Sequence, residues 1–267
     1  GDEYRNTIFG TNSLNDNTTG VYNTAIGYEA LKFNISGGSN TASGYNALRS
    51  NTTGSSNTAI GSMALDINTT GTANTSIGAF SLGDNTTGDN NTAIGRYSLN
   101  DNTIGSNNTA IGASSLWKNT TGTANTATGQ YALLNNTIGS WNTASGSYAL
   151  YNNTEGGDNA AFGQSALNEN TTGNNNTATG MSALYMNKTG SYNSAYGHSA
   201  LWNSDAGIAN TALGYQAGYS TVNGANNVFI GYQAGYNETG SNTLYIDNSN
   251  TITPLIYGDF INDKLTI

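Results

Sequence analysis

The chain carries one pattern of polar and apolar positions that repeats every 17 residues. An Asn opens each copy, at Asn6, Asn23, Asn40, Asn57, Asn74, Asn91, Asn108, Asn125, Asn142, Asn159, Asn176, Asn193, Asn210 and Asn227. The consensus is N-T-A-I-G-x-x-A-L-x-x-N-T-T-G-x-x, in which position five is always Gly and position nine is Leu in twelve copies. Only Gly218 and Gly235 interrupt the Leu column. A fixed period of this kind indicates a repeat architecture.

The length of the repeat decides between helix and strand. A helical solenoid repeat needs about 33 residues or more, so 17 residues are too few for a pair of helices. The segment N-T-A-I-G alternates with the period of a strand, x-A-L-x predicts a second short extended stretch, and N-T-T-G is typical of a turn. We therefore predict an all-β parallel β-solenoid, or β-roll, of about fourteen coils.

Identical residues of successive coils are expected to form vertical columns spaced by ~4.8 Å, the distance between hydrogen-bonded strands. The predicted structural columns include Asn23, Asn40 and Asn57, Gly27, Gly44 and Gly61, and Leu31, Leu48 and Leu65. We expect each Asn to bond its own turn and the Asn of the next coil. A second Asn column at position twelve runs from Asn17 to Asn187 and gives way to Ser204 and Thr221. Gly at positions five and fifteen indicates positive φ or close backbone approach.

The repeat defines three segments of the chain. Residues 1–5 are a leader, residues 6–241 are the solenoid, and residues 242–267 are a C-terminal cap or transition segment. The coil that begins at Asn227 is predicted to be shortened to 15 residues, ending before Asn242. The apolar runs at 254–260 and 265–267 predict a β-hairpin cap.

Composition excludes several partners. Only 9% of the residues are charged, and the net charge of −9 opposes binding to nucleic acid or to anionic membranes. No apolar run is long enough to span a bilayer, so we expect no membrane insertion by this segment. The chain has no Cys and therefore no disulfide framework or thiolate metal site.

The energetics of one coil favour an oligomer. Each coil offers one Leu and one position-four residue for burial, worth roughly 1.5 to 3 kcal/mol each. Ordering its backbone costs roughly 1 to 2 kcal/mol per residue, and each hydrogen bond returns only about 1 kcal/mol. We therefore expect a homotrimer in which three solenoids pack along the columns of Ala and Gly.

Residues with catalytic potential are few. His198 is the one His and has no partner carboxylate or nucleophile motif beside it. Asp84 and Asp101 occupy the same repeat position in adjacent coils, an arrangement open to calcium or acid–base chemistry. Neighbouring coils carry Ile67 and Lys118 there, which favours an exposed turn. We predict a non-enzymatic protein with no cofactor and no metal.

Aromatic residues give the clearest candidate binding surface. Position ten carries Trp117, Tyr151, Tyr185, Trp202, Tyr219 and Tyr236, and position seven carries Phe80, Tyr97, Tyr131 and Tyr148. Exposed aromatic side chains on a rigid scaffold can stack on sugar rings or anchor a protein partner. The alternative is that these side chains line the trimer seam or shield the core.

At the N-T-A-I-G and A-L columns, residues 6–241 resemble the head repeats of trimeric autotransporter adhesins of the YadA type, although the present repeat is longer. The C-terminal residues 227–235, 244–248 and 254–258 are similar to repeat proteins of the phage tail-fibre type. The resemblance implies a left-handed coil, trimerisation, and exposure on a cell surface or virion tail fibre. It also implies attachment to a glycan or protein receptor.

These observations predict an extracellular structural and adhesive shaft. Two alternatives stay open: an ice-binding protein that uses the Thr recurring at position two, and a repeat subunit of an extracellular filament. Position four varies between Ile, Ser, Phe and Tyr, which weighs against the flat plane that ice binding needs. A glycan-depolymerising tailspike would need a carboxylate pair in a groove, and the repeats offer only scattered acids in turns.

Overall fold

The computed structural model of the protein describes residues 5–267, so most of the predicted leader lies outside the described residues. The described chain is an all-β parallel solenoid of about fourteen turns and contains no helix, which confirms the predicted fold class. The chain divides into two compact units, of which the first ends at Ile138 and the second begins at Gly139.

Each coil contributes one short strand. In the first unit the strands are β1 (Thr7–Phe9), β2 (Thr24–Ile26), β3 (Thr41–Ser43), β4 (Thr58–Ile60), β5 (Thr75–Ile77), β6 (Thr92–Ile94), β7 (Thr109–Ile111) and β8 (Thr126–Thr128). In the second unit they are β9 (Thr143–Ser145), β10 (Ala160–Phe162), β11 (Thr177–Thr179), β12 (Ser194–Tyr196), β13 (Thr211–Leu213), β14 (Val228–Ile230), β15 (Thr243–Ile246), β16 (Ile256–Asp259) and β17 (Lys264–Thr266). In the first unit each strand from β1 to β8 pairs parallel with the next, and in the second unit each strand from β9 to β15 does so. In the pairs up to β14, each residue lies opposite the residue 17 positions further along the chain.

The core of each coil is made of small side chains and one Leu. In the coil that begins at Asn57, Ala59, Ala64 and Leu65 have no exposed surface. The strand alternates with period two, so Thr58 and Ile60 point outward and Ile60 keeps 42% of its surface exposed. The expectation that position four contributes to the core is therefore wrong. The Ala columns are also interior, so they cannot form a seam between chains.

The second extended stretch predicted at x-A-L-x is not a strand. Leu31 and Leu65, at position nine, have φ of 53° and 54°. Glu29, at position seven, has φ of 54°, whereas Ala30, between Glu29 and Leu31, does not have positive φ. This turn still hydrogen-bonds to the coils beside it, because Leu31 N–H donates to Ala47 C=O at 3.1 Å. A left-handed conformation at Leu costs energy in isolation, and here burial of the side chain compensates for it.

Two columns of buried Asn close each coil and join it to the next. Asn57 Nδ2 donates to Gly71 C=O at 2.8 Å, and Asn68 Nδ2 donates to the same carbonyl at 3.0 Å. Asn57 Oδ1 accepts the backbone N–H of Asn74 at 3.0 Å, and Asn51 Oδ1 accepts Asn68 Nδ2 at 2.8 Å. The predicted column of Asn23, Asn40 and Asn57 follows this rule, since each Oδ1 accepts the N–H of the next Asn.

The position-five glycines combine unusual φ with close packing. Gly27, Gly44 and Gly61 have φ of 132°, 146° and 135°, a region that other residues rarely adopt. A Cβ at Gly61 would also lie 2.6 Å from the carbonyl oxygen of Gly78 in the next coil. Position five therefore requires Gly on two independent grounds.

In the second unit, a single aromatic residue explains the break in the Leu column. Phe229 replaces Ala at position three of its coil and is fully buried. A Cβ at Gly218 would lie 2.4 Å from the Phe229 ring, and one at Gly235 would lie 2.2 Å from it. The two glycines therefore provide the space that the ring occupies.

The chain then leaves the repeat. Val228 pairs with Leu244, and the N–H of Thr243 donates to Asn227 Oδ1 at 2.9 Å in the place of the usual Asn. The shortened coil therefore has 16 residues in register, one more than the sequence predicted. β15, β16 and β17 pair antiparallel, so a hairpin is present at 256–266.

Candidate functional site

Variation between coils is concentrated on the outer surface. Asn, Ala, Leu and Gly fill the interior columns, whereas positions six, seven, ten, eleven, sixteen and seventeen change from coil to coil and are mostly half-buried or exposed. The outer columns are consequently the place where a ligand or partner could distinguish one coil from another.

Four of the six predicted binding aromatics form one stack in the second unit. The ring centroids are 5.5 Å apart for Tyr185 and Trp202, 5.4 Å for Trp202 and Tyr219, and 4.8 Å for Tyr219 and Tyr236. The planes of neighbouring rings differ by only 5° or 6°. The faces of the middle rings are therefore covered by their neighbours, and mainly edges remain for contact with a ligand. This arrangement is better suited to shielding the turn beneath it than to stacking on sugars.

The other two predicted aromatics each contact an aromatic ring at position seven. In the first unit, Trp117 stacks on Tyr97 with centroids 5.1 Å apart, and Tyr97 stacks on Phe80 at the same distance. Trp117 Nε1 donates to the Asp101 carboxylate at 3.0 Å, which fixes the indole ring. In the second unit, Tyr151 packs against Tyr148 at an angle of 49°. Within the second unit, position ten of the coil between Tyr151 and Tyr185 is Asn168, so Tyr151 is not part of the four-ring stack.

Three strongly exposed aromatic side chains of the repeats lie elsewhere, at position seventeen. Trp141, Tyr192 and Tyr22 are 66%, 64% and 56% exposed. Trp141 and Tyr192 belong to the second unit, three coils apart, and their backbones have φ of 64° and 61°. Sequence reasoning missed them because they are isolated along their column. Their replacement of Asn, Ser or Ala in an exposed turn was the available signal.

A charged cluster lies in the first unit, with Lys32, Arg49 and Asp66 at position ten of three consecutive coils and Glu29 at position seven. Arg49 Nε lies 3.1 Å from Asp66 Oδ1, and Lys32 Nζ lies 2.8 Å from Glu29 Oε1. The hydrogen bond from Lys32 lowers the pKa of Glu29, whereas burial raises the pKa of Asp66 despite the nearby Arg49. Gly83, at position ten of the next coil, leaves a cleft of about 210 Å³.

Of the predicted acidic pair, Asp84 lines this cleft and Asp101 does not. Asp84 and Phe80 line the cleft together with Asp66 and Asn100. Burial raises the pKa of Asp101, the hydrogen bond from Trp117 opposes that effect, and the charge of Asp84 adds to it. No group of three His, Cys, Asp or Glu residues in 5–267 is placed to hold a metal ion.

His198 does not form a catalytic group with its neighbours. Its Nδ1 lies 3.0 Å from Ser199 Oγ, and its ring stacks on Tyr215 with centroids 5.3 Å apart. Ser199 is buried at 6% exposure, so its hydroxyl is poorly placed to meet a substrate. His198 therefore extends the aromatic column at position six, which continues through Tyr215 to Tyr232.

No protein-family model matches the chain, and a search of curated proteins finds no match either. Over residues 5–267 there is no helix with the length and apolar character that a bilayer span requires.

A second cleft lies in the second unit, beside the C-terminal hairpin. It measures about 360 Å³ and is lined by Tyr245, Tyr257, Pro254 and Thr266, among others. Tyr245 Oη donates to the Glu238 carboxylate at 2.6 Å. Burial, with the charge of Glu238, raises the pKa of Tyr245, so its hydroxyl stays protonated and engaged.

Proposed function

We propose that this protein is a non-enzymatic, extracellular structural and adhesive shaft that acts as a homotrimer and attaches to glycan or protein receptors. One observation carries the proposal: the interior columns are nearly invariant, whereas the outer positions six, seven, ten, eleven, sixteen and seventeen vary. A scaffold of this kind holds many different side chains at fixed spacing, as a receptor-binding surface needs. A cell surface or a virion tail fibre is the location that suits such a shaft.

The exposed aromatics at position seventeen are the preferred receptor contacts. Trp141 and Tyr192 present large, weakly covered rings, and an uncovered ring can stack on the apolar face of a sugar. The rings of Trp202 and Tyr219 lie inside a stack and lack that freedom. Position seventeen therefore replaces position ten as the candidate contact column in the second unit.

A glycan array probed with the folded protein tests the proposal. We expect binding to a limited set of glycans, and we expect Trp141→Ala with Tyr192→Ala to remove it. Trp202→Ala is the matched control, because it removes a ring of the same size whose faces are covered. An array without hits, together with no binding to intact cells, would oppose the adhesive role.

One observation favours ice binding as a second candidate. In β4 to β7 the half-buried Thr of position two is followed by Ile at position four in four consecutive coils. Position four is therefore uniform over these four coils, although it also carries Ser, Phe and Tyr elsewhere in the chain. Thermal hysteresis at micromolar protein would place this candidate first, and its absence would remove it.

A further inference from the structure

The buried Asn column at position twelve ends, in the second unit, at two polar atoms that no other group of the described chain satisfies. Asn187 and Ser204 occupy position twelve of consecutive coils, and neither residue has exposed surface. Neither Asn187 Oδ1 nor Ser204 Oγ has a hydrogen-bond partner within the described chain. Native structures seldom bury a polar atom without a hydrogen bond, because its desolvation is not compensated. The two atoms therefore indicate a partner from outside the chain.

The regular members of the column show which group Ser204 lacks. Asn187 Nδ2 donates to Asn170 Oδ1 of the preceding coil at 2.8 Å and to Gly190 C=O of its own turn at 3.0 Å. Each Asn thus supplies one NH2 group that donates two hydrogen bonds, and one oxygen that can accept a bond from the next coil. In the coil of Ser204, the acceptors that correspond to this NH2 group are Asn187 Oδ1 and Gly207 C=O.

The hydroxyl of Ser204 replaces only the oxygen of the carboxamide. A Cβ at Gly190 would lie nearest to Asn187 Oδ1, and a Cβ at Gly207 would lie nearest to Ser204 Oγ. Ser204 Oγ therefore occupies the position that Oδ1 has in the column, and Ser has no further atom to occupy the NH2 position. Gly207 C=O accepts one bond there, from Asn193 Nδ2 at 2.7 Å, and keeps a second lone pair.

The next coil does not supply the missing donor. Thr221 occupies position twelve after Ser204 and is also fully buried. Its Oγ1 donates to Glu238 C=O at 3.1 Å, so its one hydroxyl hydrogen is already used. The hydroxyl hydrogen of Ser204 is consequently free to be donated toward the NH2 position.

We propose that one water molecule binds at the NH2 position, donates to Asn187 Oδ1 and Gly207 C=O, and accepts the hydroxyl hydrogen of Ser204. Three hydrogen bonds are the number that a buried water typically makes. A water has the same two donated hydrogens as an NH2 group, so it continues the polar column across the Ser. The second unit thereby has a specific internal binding site for water.

The charge of the surroundings selects water over an ammonium ion, which has equivalent donors. A buried cation is strongly unfavourable unless an anionic group compensates for it. The acid adjacent in sequence, Asp205, already forms an ion pair with Lys188 at 3.4 Å. The three partners at the NH2 position are a carboxamide, a backbone carbonyl and a hydroxyl, which are all neutral.

High-resolution crystallography tests the site directly. In the unaltered protein we expect one ordered water about 2.5 to 3.0 Å from Asn187 Oδ1, Gly207 O and Ser204 Oγ. In Ser204→Asn we expect Nδ2 of the new side chain at the position of the water and no water beside it. A direct hydrogen bond from Ser204 Oγ to Asn187 Oδ1 without a water, or a water retained next to the new Asn, would overturn the proposal.

Oxygen-17 magnetic relaxation dispersion, which counts long-lived buried waters, tests the site in solution. We expect Ser204→Asn to hold one such water fewer than the unaltered protein. Ser36→Asn is the matched control, because it makes the same substitution at an exposed Ser of the repeat and should leave the number unchanged. An equal number of buried waters in Ser204→Asn and the unaltered protein would contradict the site.

Melting temperatures in ammonium chloride and in sodium chloride separate the two possible occupants. Water at the NH2 position predicts the same melting temperature in both salts at equal concentration. A melting temperature that rises in ammonium chloride alone, and does not rise in Ser204→Asn, would assign the site to an ammonium ion and overturn the assignment of water.

Discussion

Removal of one Asn from the interior column is expected to destabilise the first unit strongly. The side chain of Asn57 has no exposed surface and makes two hydrogen bonds. In Asn57→Ala, Gly71 C=O keeps its bond from Asn68 Nδ2, but the N–H of Asn74 loses its acceptor. A buried donor left without a partner costs about 1 to 3 kcal/mol, and the small cavity adds to that cost. We expect the free energy of unfolding to fall by about 2 to 4 kcal/mol.

Urea unfolding followed by circular dichroism measures this change. The control is Asn15→Ala, because Asn15 is exposed and bonds only to Asp16, and its loss should cost less than about 0.5 kcal/mol. A value for Asn57→Ala equal to that of the control would refute the conclusion that the Asn columns hold the coils together.

Asn57→Asp tests the same geometry with a change of pH. The new carboxylate would face the Gly71 carbonyl where Nδ2 now donates, so burial and this contact would raise its folded-state pKa. An acid with a raised folded pKa loses stability as pH rises above its unfolded value of about 3.9. We expect the variant to approach the unaltered protein near pH 3 and to weaken steadily toward neutral pH. A stability difference independent of pH would contradict this account.

Three further predictions concern other residues. Phe229→Ala should lower the free energy of unfolding by about 3 to 5 kcal/mol, because the buried ring leaves a cavity. Adding Gly218→Leu and Gly235→Leu should recover most of this loss, since Leu restores the consensus packing. Failure of this rescue in thermal unfolding would show that the glycines have another role. Ser204→Asn should stabilise the second unit by about 1 kcal/mol, because its buried hydroxyl has no partner and an Asn would continue the column; an unchanged melting temperature would count against this. Burial raises the pKa of Asp66, so the unaltered protein should lose a few tenths of a kcal/mol of stability as pH rises above about 4, and Asp66→Asn should not. A stability advantage of the variant that grows toward acid pH would contradict this expectation.

The repeat alone predicted the coil, its period and the columns of Asn and Gly. These features come from local chemistry repeated in every copy, such as an Asn that can only be buried if both ends of its amide are bonded. The interruptions at Gly218 and Gly235 were also visible, but their cause was not. It depends on the ring of Phe229, whose direction into the space beside both glycines is set by the folded coil.

The tertiary structure decided how the chain runs between the columns. Leu31 takes a left-handed conformation that no propensity favours, because the path of the turn sends its side chain into the core. That path also leaves position three inside and position four outside, which exposes Ile60 and its neighbours. In the same way, period alone places Trp202 above Tyr185 but does not show that their rings lie face to face. Residues 17 apart are neighbours because of the sequence, whereas the direction of each side chain is set by the packing of the closed coil.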